Sequence, residues 1–252
     1  SGTNVYGLDQ VLMIGDRLIC SELKTTTKNP AAKLIYERIE KRSKDSFANF
    51  LKDPINPMYM MMEEFDNDLK ELAMLKLSPF ETKVVDKMKL SAKIYKEQNH
   101  HLRIQLMKNQ LMENYADWKD QKNLFKFGAN HLAKSESFLK IFDIGNLINN
   151  IADSQYSSSL HILIIGKAGA QGSPFKGFPE QPINADSDNL KALKPFFDIV
   201  VNPNDWYCLD MQPIRKKIEN KEITTSIQLS RIIEGYDYVV IIPKVTAATF
   251  PK

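Results

Sequence analysis

The spacing of apolar residues changes halfway along this chain, and that change narrows the folds open to it. Up to about residue 118 they recur every three or four positions, as amphipathic helices require. Beyond it they gather into short runs rich in β-branched and aromatic residues, as buried strands require. The spacing predicts helices over residues 11–23 and 30–51. Asn29 caps the second, Pro30 opens its first turn, and Leu34, Ile35, Ile39, Phe47 and Phe50 fall mostly on one face. Asp53-Pro54 and Asn56-Pro57 interrupt the pattern, and Met60, Phe65, Leu69 and Leu72 resume it over residues 58–75. Ser78-Pro79-Phe80-Glu81 is the strongest local signal: a capping serine, a first-turn proline and a glutamate that completes a capping box. The apolar stripe behind it reaches Trp118. One helix of that length would span roughly 60 Å, so a break is expected near Asn99-His100-His101.

In the second half, strands are expected over residues 123–129, 160–165, 206–210 and 238–242, and a short one over residues 5–9. Helices are expected over 143–152, 187–193, 213–219 and 225–234. Strands alternating with helices predict an α/β fold, with a mainly parallel sheet flanked by helices on both faces and a largely helical bundle in the first half. On this reading residues 1–10 and 121–252 form the α/β core, and 11–120 a helical insertion or bundle. Residues 166–186, rich in Gly, Pro and Gln, read as a long loop of functional kind.

Composition removes several function classes. Lys and Arg number 34 against 31 Asp and Glu, a net charge of +3 with no basic run, so nucleic acid is not an expected partner. Cys20 and Cys208 allow one bridge but make neither a disulfide framework nor a zinc-ligand spacing. No apolar run is long enough to span a bilayer, and the chain reads as soluble. Ser1-Gly2 looks like a tag scar, so the chain is expected to begin mid-protein with any signal sequence missing.

Four histidines limit the chemistry. His100 and His101 are neighbours on a helix, about 100° apart, and read as a solvated face. His161 opens a strand after a serine-rich turn and reads as a structural strand-edge residue. His131 stands apart. It follows Phe127-Gly128-Ala129-Asn130, which places it just beyond the carboxyl end of an expected parallel strand, where open α/β sheets bind ligands. Gly128 would let the backbone turn sharply there, and Asn130 adds a polar group. Asp9, Gln10, Asp143 and Asp210 are expected at similar edges, where a carboxylate would orient the imidazole and stabilise its charged form. Asp143 equally suits the N-cap of the next helix, and Asp210 a cap or a partner for Arg215. No G-x-S-x-G elbow, HExxH or Walker loop occurs. Gly166, Gly169 and Gly172 have the wrong spacing for a dinucleotide fingerprint.

Gly128-Ala129-Asn130-His131-Leu132 resembles the second G-x-x-H motif of the superfamily that joins erythromycin esterases, haem-binding ChaN-like proteins and TraB/TIKI-type metalloproteases. Tyr6-Gly7-Leu8-Asp9-Gln10, Arg103-x-x-x-Met107, the segment from Cys208 to Arg215 and Gly235-Tyr236-Asp237-Tyr238 are similar to the esterase-like branch. The resemblance implies a hydrolase of an ester, lactone or amide, with His131 as the second active-site histidine, base or metal ligand. It also implies Arg103, with Asp9, Gln10, Asn130, Asp143 and Asp210, as residues lining a small-molecule site. A divalent metal is the implied cofactor, and haem the alternative if the chain is a non-catalytic ligand-binding protein. The chain departs from the pattern at Gly128, where the esterases carry a histidine, and at Gln110, where an asparagine is usual. The family's other G-x-x-H motif and its glutamate would lie before Tyr6, so the chain is expected to carry only the second half of the site. Unpaired sheet edges would favour association with another copy.

Overall fold

Local signals decide where the helices begin. The computed structural model describes residues 4–173, 179–187 and 190–249, and the chain divides into two compact units, Ser1–Gln121 and Lys122–Lys252. In the first unit, α1 (Asp16–Thr26) is followed by Asn29, whose side chain accepts the N–H groups of Ala31 and Ala32 at 3.0 and 3.2 Å and starts α2 (Pro30–Lys52). A 3₁₀ turn (Tyr59–Met61) and α3 (Glu63–Ala73) replace the single helix expected over 58–75. Ser78 and Glu81 form the capping box of α4 (Pro79–Glu97). That helix stops where the sequence placed a break. Gln98 turns left-handed at φ 50°, and Asn99 caps α5 (His100–Glu113) by accepting from Leu102 N at 3.0 Å. The stripe up to Trp118 is therefore three helices, the last being α6 (Tyr115–Trp118).

Tyr36, Ile39, Met60, Phe65, Leu72 and Met88 form the buried centre of this unit. One buried charge is only half satisfied. Asp16 accepts the Ser43 hydroxyl on Oδ1 at 2.7 Å, while Oδ2 has no partner, and burial pushes its carboxyl pKa up. No strand forms over residues 5–9.

The second unit begins with α7 (Ile144–Ser154) and β1 (Ile162–Gln171). Then come β2 (Gln181–Asn184), α8 (Lys194–Asp198), β3 (Tyr207–Asp210), α9 (Gln212–Glu219), α10 (Ile227–Gly235) and β4 (Tyr238–Val245). The sheet order is β2-β1-β4-β3. Among the described residues only β1 and β4 run parallel, with Ile162 opposite Tyr238; β1–β2 and β3–β4 are antiparallel. The expected mainly parallel sheet is thus corrected to a mixed one. Both α9 and α10 lie between β3 and β4, and Asp210 ends opposite Tyr238, so β4 starts where β3 stops and runs back along it.

Two further expectations fail for identifiable reasons. Residues 123–129 form no strand, and Leu124 is 94% exposed, because no sheet edge receives them. Residues 166–186 are not one loop. β1 continues through Gly169, at φ 108°, where an added Cβ would sit 1.9 Å from Val245 O, and Pro182 is accommodated in the edge strand β2. Residues 174–178 of that stretch, and 188–189 of the helix expected over 187–193, lie outside the described residues; Lys191–Leu193 is a 3₁₀ turn.

Leu163, Val239 and Ile241 are buried against Phe196, Phe197, Leu229, Ile232 and Ile233 of α8 and α10. The other face carries Ile162 and Ile164, 41% and 61% exposed, so helices among the described residues leave it uncovered there. Cys20 and Cys208 are both free. No helix among the described residues is long and apolar enough to cross a membrane.

Candidate functional site

A helix start leaves backbone N–H groups without partners, and in α7 Asp143 answers that need. Its Oδ1 accepts Ile144 N at 2.6 Å. The second oxygen does something else: Oδ2 lies 2.7 Å from His131 Nδ1. Asp143 is 1% exposed, while the His131 side chain keeps 11%, so the carboxylate is shielded and the imidazole retains a narrow edge to solvent. An ionised carboxylate only accepts, so Nδ1 carries the proton and Nε2 is the basic nitrogen of the neutral ring. Phe127 stands beside the imidazole at 6.2 Å between ring centroids.

The segment carrying His131 is wedged in place. Residues Ala129–His131 make a 3₁₀ turn, with His131 N donating to Gly128 O at 3.0 Å. The Tyr236 hydroxyl donates to Ala129 O, and Lys134 N donates to Gly235 O at 2.8 Å. Asn146 Nδ2 donates to Lys134 O at 2.7 Å. Gly145 admits the Leu132 backbone to the first turn of α7, since an added Cβ would lie 2.3 Å from Leu132 C. Gly128, by contrast, has φ −62°, and a Cβ there would meet His131 Cδ2 at an ordinary 3.8 Å. The special backbone requirement expected at Gly128 belongs to Gly145.

His131 was expected at the carboxyl end of a parallel strand; its segment instead passes the amino ends of β1 and β4. His161, just before β1, places Nδ1 2.6 Å from Leu132 O, and Asp237, just before β4, accepts Lys134 Nζ at 2.8 Å and His161 N at 2.8 Å. Burial lowers the His161 pKa, and the Lys134 charge adds to this. Burial pushes Asp237 up, but the Lys134 ammonium and the His161 amide outweigh it and hold the carboxyl below its ordinary range.

The other sequence candidates divide between the two units. Asn130 shares the His131 turn, half-buried. Asp210 is exposed, accepts Gln212 N at 2.9 Å at the start of α9, and does not pair with Arg215. Arg215 instead donates to the Ile233 and Tyr236 carbonyls. In the first unit Arg103 grips Asp9 with both Nε and a terminal nitrogen, the Nε contact at 2.8 Å. Gln110 donates to Leu8 O at 2.9 Å beside that pair. Gln10 N donates to Asp9 Oδ1, while Gln10 Oε1 is buried without a partner.

No group of three or more His, Cys, Asp or Glu among the described residues is placed to hold a metal ion. Reasoning from the sequence missed Lys134. Tyr236 and Asp237 carried a signal, as members of the closing motif.

No family model matches the chain, and no curated protein matches it. Among solved structures it is similar to a histidine-to-asparagine mutant of erythromycin esterase EreC in its open conformation. The TM-score is 0.51 at 11% identity, over 94% of this chain and 68% of that one. The chain therefore has an erythromycin-esterase-like fold, an α/β arrangement with many helices.

Proposed function

We propose that this protein is a hydrolase that cleaves an ester, lactone or amide, with His131 as general base. The observation that carries the reading is the buried 2.7 Å contact between His131 Nδ1 and Asp143 Oδ2. It fixes the tautomer, so that Nε2 takes a proton from water as the water attacks the carbonyl carbon. The imidazolium then returns that proton to the leaving group. Asp143 orients the ring and balances its charge in between. Because α7 depends on the same carboxylate for its cap, the base is anchored to a regular element rather than to a mobile side chain. The likeness in fold to an erythromycin esterase supports a macrolide lactone as the first substrate class to try.

The test is turnover of a macrolactone and short peptides by the chain and by His131→Ala. Loss of ~10²–10⁴-fold in the variant is expected, the usual contribution of a general base. Turnover unchanged in His131→Ala overturns the reading. Haem titration covers the non-catalytic alternative: a Soret shift that depends on His131 would replace hydrolysis with ligand binding.

A further inference from the structure

Beyond the His131 pair, the second unit holds another histidine with a hydroxyl aimed at it. α7 ends where Tyr156 turns left-handed at φ 55° and Ser157 N returns to Ala152 O. That reversal brings Ser159 back beside the helix, its hydroxyl 3.3 Å from Asn149 Oδ1. Two residues on, His161 Nε2 lies 2.8 Å from the same hydroxyl. The other ring nitrogen settles the direction of this bond. Nδ1 faces Leu132 O at 2.6 Å, and a carbonyl oxygen only accepts, so Nδ1 carries the hydrogen. In the neutral ring Nε2 then has a lone pair, and the single hydrogen of the Ser159 hydroxyl has two acceptors in reach, Asn149 Oδ1 at 3.3 Å and Nε2 at 2.8 Å, of which Nε2 is the nearer. His161 is 5% exposed, while Ser159 is half-buried and its neighbours Leu160 and Tyr156 are exposed. The base is therefore shielded, and the hydroxyl lies on a stretch that solvent reaches.

A nucleophile within hydrogen-bond reach of a base, with the base held by a third group, is the arrangement that activates serine. We propose that Ser159 is a nucleophile that accepts an acyl group from carboxylic esters, with His161 as its base. Ser159 Oγ attacks the carbonyl carbon and its proton passes to His161 Nε2. The bond to the ester's alkoxy oxygen breaks, and the leaving alkoxide takes that proton to depart as the alcohol. Water, deprotonated by the same nitrogen, then cleaves acyl-Ser159 to the acid and restores both residues. Burial and the Lys134 charge, opposed by the Leu132 carbonyl and Asp237, keep the imidazole in the neutral form this step needs.

The test is covalent labelling of the whole chain with a fluorophosphonate and with p-nitrophenyl acetate, the adduct being mapped by peptide mass spectrometry. A single adduct on Ser159 is expected. It should vanish in Ser159→Ala, form ~10²-fold more slowly in His161→Gln, and persist in Ser157→Ala and Ser158→Ala. His161 is buried, so its variant needs an independent companion: in Ser159→Cys the new thiol should react with iodoacetamide faster than Cys208 does. An adduct elsewhere, no adduct, a Ser159 adduct formed equally fast in His161→Gln, or a Ser159→Cys thiol no faster than Cys208 overturns the proposal. Labelling reads Ser159 directly, so it stands or falls independently of turnover through His131.

Discussion

Replacing Asp143 separates its two tasks. In Asp143→Ala, α7 loses its cap, at a cost of about 1 kcal/mol. The same change removes a buried hydrogen bond to a charged group, worth about 1.5–3 kcal/mol, and strands the His131 Nδ1 hydrogen. Together these predict a loss of roughly 2.5–4 kcal/mol, a large share of the about 5–15 kcal/mol that holds a domain folded. Asp143→Asn behaves differently. Its amide oxygen can still accept from Ile144 N, but its NH₂ then faces Nδ1, and two donors cannot bond. The ring must move its hydrogen to Nε2, which preserves most of the stability and takes the basic nitrogen away from substrate. The expected result is a stability loss below about 1.5 kcal/mol by urea denaturation, with turnover down ~10²–10⁴-fold. Nitrogen-detected imidazole NMR gives a readout that needs no substrate: hydrogen on Nδ1 in the native chain, on Nε2 in Asp143→Asn. The same tautomer in both, or denaturation curves for Asp143→Ala that overlay the native ones, would refute the argument.

Gly145→Ala should destabilise, although alanine in a helix is normally worth about 1 kcal/mol more than glycine. Its Cβ falls within 2.6 Å of three Leu132 backbone atoms, and overpacking of that kind costs about 1–3 kcal/mol; a raised unfolding midpoint would contradict this. Gly169→Ala combines left-handed strain with a 1.9 Å approach to Val245 O, so a loss of roughly 3 kcal/mol or more is expected in the same assay. Asp16→Asn should stabilise the chain at neutral pH. The Asp16 carboxyl has a folded pKa raised above 3.8, so its ionisation disfavours the fold. That penalty is absent at lower pH and grows as pH rises through the folded value. Melting curves of the two proteins should therefore converge on acidification, and parallel curves would count against it. His161 works in the opposite sense, its folded pKa being lowered from 6.5. Stability should fall as pH drops below about 6.5, less steeply in His161→Gln, with equal slopes speaking against the assignment.

What the sequence made legible was chiefly local. Caps at Asn29, Ser78 and Asp143 and the break before His100 depend on residues within one helical turn of each other, and each is found where the spacing put it. Strand pairing depends on distant partners, and there the reading slipped. Phe125 and Phe127 alternate like a strand, yet no edge accepts them. Gly169 and Pro182 look like loop residues, yet one fits a left-handed strand position and the other an edge. The error in the sheet moved His131 from the carboxyl edge to the amino edge. Asp143 was one of three carboxylates expected near His131, with Asp9 and Asp210, and its suitability as a cap argued for a structural role instead; the structure gives it both tasks. Ser159 was not recognisable, since its approach to His161 depends on how α7 ends.

The parallel pairing of β1 with β4 has a kinetic consequence. Their partners, Ile162 with Tyr238 onward, are separated along the chain by β2, α8, β3, α9 and α10. Closing so long a stretch spends chain entropy before any strand contact compensates for it. The first unit has no such obligation, because α1 packs on α2 and each later long helix touches the one before it in sequence. Its helices should assemble early, while Leu163, Val239 and Ile241 still wait for one another. During that interval the strands of the second unit expose their most apolar face, which makes slow sheet closure the stage at which this chain is most prone to aggregate.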